Sequence, residues 1–83
     1  KGEKMRRIII SEKDIVDLKV YIPDIKEKVE NLDADDVDAF NDLLDEIDNI
    51  YLIHGIDEND EPNDIGWKYE KIRDRIFADN YPD

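Results

Sequence analysis

The spacing of apolar residues predicts helices over most of this chain. The first apolar stripe advances in steps of three and four, which is one face of a helix: Ile15, Leu18, Ile22, Ile25, Val29 and Leu32. Ser11 stands where an N-cap would, with Asp14 three residues later as a short form of the capping box. Pro23 interrupts the stripe, and an interior proline costs a helix about 3 kcal/mol. We therefore expect a Pro-kinked first helix, or a Pro-broken one with a segment near 11–21 and a second that starts at Pro23.

A second stripe predicts a longer helix in the middle of the chain. Its members are Val37, Phe40, Leu44, Ile47 and Tyr51, and the stripe is widened by Leu43 and Ile50. Asp33 is the expected N-cap, and the helix should stop before Gly55, since glycine readily adopts the left-handed conformation just past a helix end. A last helix should open near Pro62, and one of its faces should carry Ile65, Tyr69, Ile72 and Ile76.

These elements predict an all-α fold, a small three- to four-helix bundle. The helical domain would span residues 11–79, after a basic and apolar N-terminal arm at residues 1–10 and before a tail at residues 80–83. An α+β alternative stays open, because residues 19–22 have strand propensity and residues 6–10 would pair with them as a short hairpin. In either case a chain of 83 residues supplies one modest core.

Charge is distributed unevenly along the chain. Twenty-four Asp and Glu residues against twelve Lys and Arg give a formal net charge of −12. Residues 29–67 contain 14 of the acids and no Lys or Arg, whereas the chain before them is slightly basic and the chain after them is neutral. Since these acids alternate with the apolar stripe, we expect the block to be folded. Its negative field repels phosphate, so we expect no direct contact with nucleic acid or an anionic membrane.

Side chains that carry catalysis or hold metals are scarce. The chain has no Cys and no Thr, its single Ser is the predicted cap, and its single His lies at a predicted helix end, where an imidazolium suits the helix dipole. Asp57, Asn59 and Glu61 alternate like the first ligands of a calcium loop, but Pro62 and Lys68 stand where that loop needs Gly and Glu. We therefore expect no enzyme activity, no metal site and no cofactor, with weak calcium binding as an alternative.

The middle helix presents its acids on the side opposite its apolar stripe, which fills an arc of about 80° on a helical wheel. With Asp36 and Asp48 at the edges, this face has seven carboxylates over about 20 Å of helix axis. The mean separation of about 3 Å per charge is close to the phosphate spacing of a single DNA strand. No base in the helix offsets their repulsion, so we interpret this face as a binding surface, with plain solvation as the competing interpretation. The predicted partner-binding residues are Asp35, Asp38, Asp42, Asp45, Glu46, Asp57, Glu58, Asp60, Glu61 and Trp67.

Trp67 has two possible placements. If the last helix already includes it, Trp67 points away from Ile72 and Ile76 toward solvent, and an exposed Trp is a typical interface hot spot. In the competing placement, which we prefer on sequence alone, Gly66 ends a loop and Trp67 folds back over the core.

In size, acidity and helical presentation, the chain resembles the DNA-mimic inhibitors of phages and mobile elements, which occupy the nucleic-acid site of an enzyme. In the same general terms it is similar to the immunity proteins that block basic nuclease toxins, although it lacks their tyrosine pair: residues 50–52 supply one Tyr. These resemblances rest on no residue motif. They imply a non-enzymatic inhibitor that docks its acidic face on the basic site of a partner, such as a nucleic-acid-binding enzyme.

Two alternatives to this function stay open. One is an immunity-type partner of a basic toxin, and the other is an accessory domain that binds through apolar contacts at Trp67 and residues 8–10. Since the sequence shows no run of apolar residues long enough for a transmembrane helix and no secretory leader, a cytoplasmic location is expected.

Overall fold

The computed structural model describes residues 5–82, and its helices confirm the predicted all-α fold. Four helices follow one another along the chain: α1 Glu12–Lys19, α2 Ile25–Glu30, α3 Val37–His54 and α4 Asp64–Asn80. α3 and α4 pack side by side as a helical hairpin, and α1 packs on α2. Between residues 5 and 82 the β contacts are two isolated bridges, Arg7–Asp33 and Ile56–Pro62, so the α+β alternative is wrong. Residues 1–4 of the predicted arm and the last residue of the tail lie outside the described residues.

The first apolar stripe is broken at Pro23, as one of the two predictions had it. α1 ends at Lys19, and α2 begins at Ile25, two residues after the proline rather than at the proline itself. Ser11 caps α1 as predicted, since its Oγ accepts a hydrogen bond from the N–H of Asp14 at 3.1 Å. Pro23 precedes the N-cap Asp24 and lies in a turn that the N–H of Ile25 closes on the carbonyl of Ile22 at 3.0 Å. The fixed φ of proline suits the second position of such a turn, so Pro23 separates the two helices at little cost.

α3 begins later than predicted, because Asp36 and not Asp33 is its N-cap. The Oδ1 of Asp36 accepts from the N–H of Ala39 at 3.2 Å. The Oδ1 of Asp33 is used in the preceding turn, where it accepts from the N–H groups of Asp35 at 2.9 Å and Arg6 at 3.2 Å. The Asp33 carboxylate is thus engaged ahead of α3, by one local partner and by one partner from the N-terminal segment.

The turn from α3 to α4 is closed by two glycines in backbone contact. α3 ends before Gly55 as predicted, but Gly55 has φ −98°, so its role is the close approach and not a left-handed conformation. A Cβ added at Gly66 would lie 2.2 Å from the carbonyl oxygen of Gly55, which excludes a side chain there without backbone movement. Asn63 caps α4, accepting from the N–H of Gly66 at 2.9 Å and donating to the carbonyl of His54 at 3.0 Å. α4 therefore begins after Asn63 rather than at Pro62.

Residues 6–10 form an extended segment that is fixed to the bundle. Ile8 is buried in the core. Asn80 is the last residue of α4 and only 2% exposed, and its side-chain amide binds both the N–H and the carbonyl of Ile9. Its Oδ1 accepts from the N–H of Ile9 at 2.7 Å, and its Nδ2 donates to the carbonyl of Ile9 at 2.9 Å. This amide therefore supplies the partners that a neighbouring strand would otherwise supply.

One hydrophobic core joins the N-terminal segment and all four helices. On α3 the predicted stripe is buried together with Leu43 and Ile50, which widen it, and it differs from the prediction at its ends, where Tyr51 is half-buried and Val37 is exposed. The buried face is broad because α3 packs against α4 on one side and contacts the α1–α2 segment on the other, through Tyr21–His54 and Lys28–Glu46. The buried apolar residues are Ile8, Leu18, Ile22, Ile25, Val29, Ala34, Phe40, Leu43, Leu44, Ile47, Ile50, Tyr69, Ile72 and Ile76.

One ion pair beside this core has a buried carboxylate and a half-exposed guanidinium. Asp14, only 1% exposed, accepts two hydrogen bonds from the guanidinium of Arg75, one from Nε at 2.9 Å and one from an Nη nitrogen at 2.6 Å. These hydrogen bonds lower the pKa of Asp14 below its ordinary value, against the opposing effect of burial. The side chain that was predicted to complete a capping box therefore ties α1 to α4.

Candidate functional site

The solvent side of α3 carries three carboxylates in a row. Asp38, Asp42 and Asp45 are exposed and occupy positions i, i+4 and i+7 of the helix. Within residues 5–82, no Lys or Arg nitrogen lies within 4 Å of any of the three. Because α3 is an 18-residue helix packed along its opposite face, the spacing of these charges is fixed. We call these three residues the acidic row.

Other acids of the predicted face are compensated by bases that lie far away in the sequence. The pairs, with their nitrogen–oxygen distances, are Arg6–Asp35 (2.7 Å), Lys28–Glu46 (3.4 Å) and Arg73–Asp48 (3.0 Å). The expectation that all seven carboxylates lack a compensating base is therefore wrong. Each base comes from a different element, namely the N-terminal segment, α2 and α4, so the sequence of the acidic block alone gives no sign of the pairing. Asp36 is engaged as the cap of α3.

The acidic loop between α3 and α4 is ordered by one of its own carboxylates. The Oδ1 of Asp57 accepts from the N–H groups of Asn59 at 2.8 Å and Glu61 at 3.1 Å. Asp60 adopts the left-handed region, with φ 63°, which completes the turn. All four loop acids are exposed, but the Asp57 carboxylate is engaged by the loop backbone, whereas the side chains of Glu58, Asp60 and Glu61 are not seen in such bonds within residues 5–82.

The loop acids do not continue the acidic row. Leu52 and Ile53, in the last turn of α3, lie between the two groups in the chain and are 62% and 71% exposed. The predicted partner-binding surface therefore divides into the acidic row, an exposed apolar turn and the acidic loop. A partner that spans all three would meet both charge and apolar surface.

Trp67 lies on the outer face of α4 and is 52% exposed, so the placement over the core is wrong. Gly66 is the third residue of α4 and not the end of a loop, because its missing side chain lets α4 approach Gly55. At the other side of the same turn, His54 stacks on the ring of Tyr21 with a centroid distance of 4.5 Å. Trp67 is thus available to a partner, whereas the ring of His54 is used within the fold.

A groove that the sequence analysis missed lies between α3 and α4, with a volume of about 410 Å³. α3 contributes Asp48, Tyr51 and Leu52, and α4 contributes Tyr69, Glu70, Arg73 and Asp74. Arg73 bridges its two walls, with Nε 3.0 Å from Asp48 and an Nη nitrogen 3.6 Å from Asp74. Glu70 and Asp74 share one face of α4 with Trp67, and this spacing is a weak sequence signal for the groove. Only the packing of α3 on α4 brings the two acids beside Tyr51.

No protein-family model, no curated protein and no solved structure matches this chain. Within residues 5–82, no helix is long and apolar enough to cross a bilayer. In the same part of the chain, no three His, Asp or Glu side chains are grouped so as to hold a metal ion. The geometry of the outer surface is thus the basis on which a function can be assigned.

Proposed function

We propose that this protein is a non-enzymatic binding module, an inhibitor that docks the outer face of α3 on the basic site of a partner protein. The observation that carries this proposal is the acidic row, three exposed carboxylates at fixed spacing. No Lys or Arg nitrogen of residues 5–82 lies within 4 Å of them. Like charges at i, i+3 and i+4 repel by a few tenths of a kcal/mol per pair. A cation-rich groove on a partner relieves that repulsion. The binding free energy should therefore be more favourable than for a surface that mixes acids with bases.

The class of partner follows from charge complementarity. The commonest cationic grooves on proteins are those that hold nucleic acid. We therefore favour a nucleic-acid-binding enzyme as the partner, with the acidic row in the place of backbone phosphates. Such a contact is steered by long-range attraction, so its affinity should fall steeply as salt screens the charges.

The test is capture of partners from a bacterial lysate at low salt, followed by elution across a salt gradient. The immobilised protein is compared with a variant that carries Asp38→Asn, Asp42→Asn and Asp45→Asn. A matched control carries Glu12→Gln, Glu30→Gln and Asp79→Asn, which removes the same charge from exposed positions outside α3. We expect the α3 variant to lose the captured protein and the control to keep it.

Two outcomes would overturn the proposal. If both variants release the partner at the same salt concentration as the parent protein, the acidic row takes no part in binding. If both lose it equally, net charge matters and the position of the carboxylates does not. Thermal melts of all three proteins establish that each is folded.

A second candidate function is an accessory domain that binds through apolar surface, and the exposure of Leu52 and Ile53 favours it. Of the contacts predicted for this function, Trp67 and Ile9 are exposed, whereas Ile8 is buried and Ile10 packs against the core. Capture that persists at high salt and is lost on Leu52→Asn with Ile53→Asn would support this function over the first. Capture of a basic toxin through the acidic row would instead identify the immunity-type variant of the first.

A further inference from the structure

The groove between α3 and α4 adjoins the acidic row. Asp45 stands one helical turn before Asp48, which forms part of the groove wall, so the two surfaces are continuous along α3. On α4, the groove residues Glu70 and Asp74 follow Trp67 by one and two turns, so these three share one stripe of the helix and Trp67 stands beyond the end of the groove wall. A segment that lies along the acidic row would therefore reach the groove.

The walls of this groove combine three kinds of surface. Tyr51 and the buried ring of Tyr69 give aromatic surface, and Leu52 gives exposed aliphatic surface. Asp48, Glu70 and Asp74 give carboxylates, against the single cation Arg73. The groove is thus amphipathic and net negative, which excludes an anionic occupant and suits a cation on an apolar stem.

The contacts of Arg73 show what the groove accommodates. Arg73 belongs to the α4 wall, and its guanidinium pairs with Asp48 across the groove and with its neighbour Asp74 on α4. Glu70 is exposed and is not within 4 Å of a Lys or Arg nitrogen in residues 5–82. A second guanidinium beside Arg73 would therefore find an open carboxylate and an aromatic wall in reach.

We propose that this groove is the pocket for an arginine side chain of the basic partner protein. The inference rests on the proposed function and names the residue type that anchors the complex. The planar guanidinium stacks on the Tyr51 ring and donates to Glu70, while the methylene stem lies along Leu52. Lysine fits less well, because its ammonium is a compact, strongly hydrated charge that neither stacks nor donates in a fork.

The test compares two fluorescent peptides of equal length and charge, nona-arginine and nona-lysine, titrated at low salt and followed by anisotropy. We expect the parent protein to prefer the arginine peptide by about fivefold, which corresponds to roughly 1 kcal/mol. Glu70→Gln and Tyr51→Leu should each reduce that ratio toward one. Glu30→Gln, an exposed change on α2, should leave it unchanged, and amide NMR shifts caused by the arginine peptide should centre on residues 48–52 and 70–74.

Failure of this inference can be told apart from failure of the proposed function. The Asn variant of the acidic row should weaken both peptides alike and keep their ratio. Equal affinity for the two peptides, or a preference that survives both Glu70→Gln and Tyr51→Leu, overturns the arginine pocket and leaves the acidic row in place. If neither peptide binds even at low salt, both proposals fail.

Discussion

Where α1 meets α4, Asp14 is buried and accepts two hydrogen bonds from Arg75. On the outer side of α3, by contrast, Asp38 is open to solvent, and no Lys or Arg nitrogen of residues 5–82 lies within 4 Å of it. The enclosed region also contains Asn80, whose amide fixes the backbone of Ile9. Polar groups there have partners inside the molecule, and the fold depends on them. The carboxylates of the acidic row have no such partners, and the fold gains from them only the modest interaction of Asp38, in the first turn of α3, with the helix dipole. The difference separates charge that stabilises this protein from charge that is free to bind another.

The largest difference between the two regions should appear when one aspartate is removed from each. Asp14→Ala removes two charge-assisted hydrogen bonds to Arg75 and should cost about 3 kcal/mol of unfolding free energy, while the guanidinium left behind is half exposed and is solvated. Asp38→Ala should change stability by less than about 0.5 kcal/mol. Urea unfolding measures both. Equal losses would show that the two carboxylates do not differ as proposed.

A somewhat smaller contrast is expected between two asparagines. Asn80→Ala removes the partners of the Ile9 backbone and of the Ile76 carbonyl, and should cost about 2 kcal/mol because buried polar groups are left unpaired. Asn49→Ala, on the exposed face of α3, should be within about 0.5 kcal/mol of the parent. Amide exchange of Ile9 should become faster in the first variant and stay unchanged in the second. Retained protection of Ile9 in Asn80→Ala would argue against the clamp.

The Asp14–Arg75 pair also predicts how stability depends on pH. Since the pKa of Asp14 is lowered in the folded state, its contribution is complete above the carboxyl pKa of the unfolded chain, about 3.9, and is lost as pH falls through the folded value. Unfolding midpoints measured from neutral to acid pH should therefore fall less steeply for Asp14→Ala than for the parent. Parallel curves would mean that this carboxyl has the same pKa in both states.

The smallest effect, and the one of opposite sign, concerns the acidic row. The variant with Asn at positions 38, 42 and 45 should be more stable than the parent by about 0.5 kcal/mol at low salt, because it removes like-charge repulsion. The gain should shrink as added salt screens the parent charges. Thermal melts across a salt series measure this difference. A loss of stability would place the row among the groups that the fold uses.

Local sequence signals predicted the helices because those signals act within a few residues. Apolar spacing located α3 and α4, Ser11 capped α1, and Pro23 separated α1 from α2. The Asp33 carboxylate, which was predicted to cap α3, instead accepts in part from the N–H of Arg6, which lies 27 residues before it. No local rule contains that contact, so sequence reasoning could not have found it.

The candidate site was predicted only in part for the same reason. The exposure of Asp38, Asp42 and Asp45 follows from the helical wheel, which is a local property of α3. The compensation of other acids by Arg6, Lys28 and Arg73 depends on how distant elements pack. The groove likewise exists only where Tyr51 and Glu70 meet across two helices.

The amide clamp of Asn80 has a consequence for the order of events during synthesis. Asn80 lies 71 residues after Ile9 and is the last residue of α4. The ribosome must therefore translate all of α4 before the segment of residues 8–10 can bind the Asn80 amide. Until then the backbone of Ile9 lacks the two partners that this amide supplies, and the closing step is a long-range contact of the kind that slows folding. Stalling translation before the codon for Asn80 should leave a helical intermediate in which residues 8–10 are still cleaved by protease.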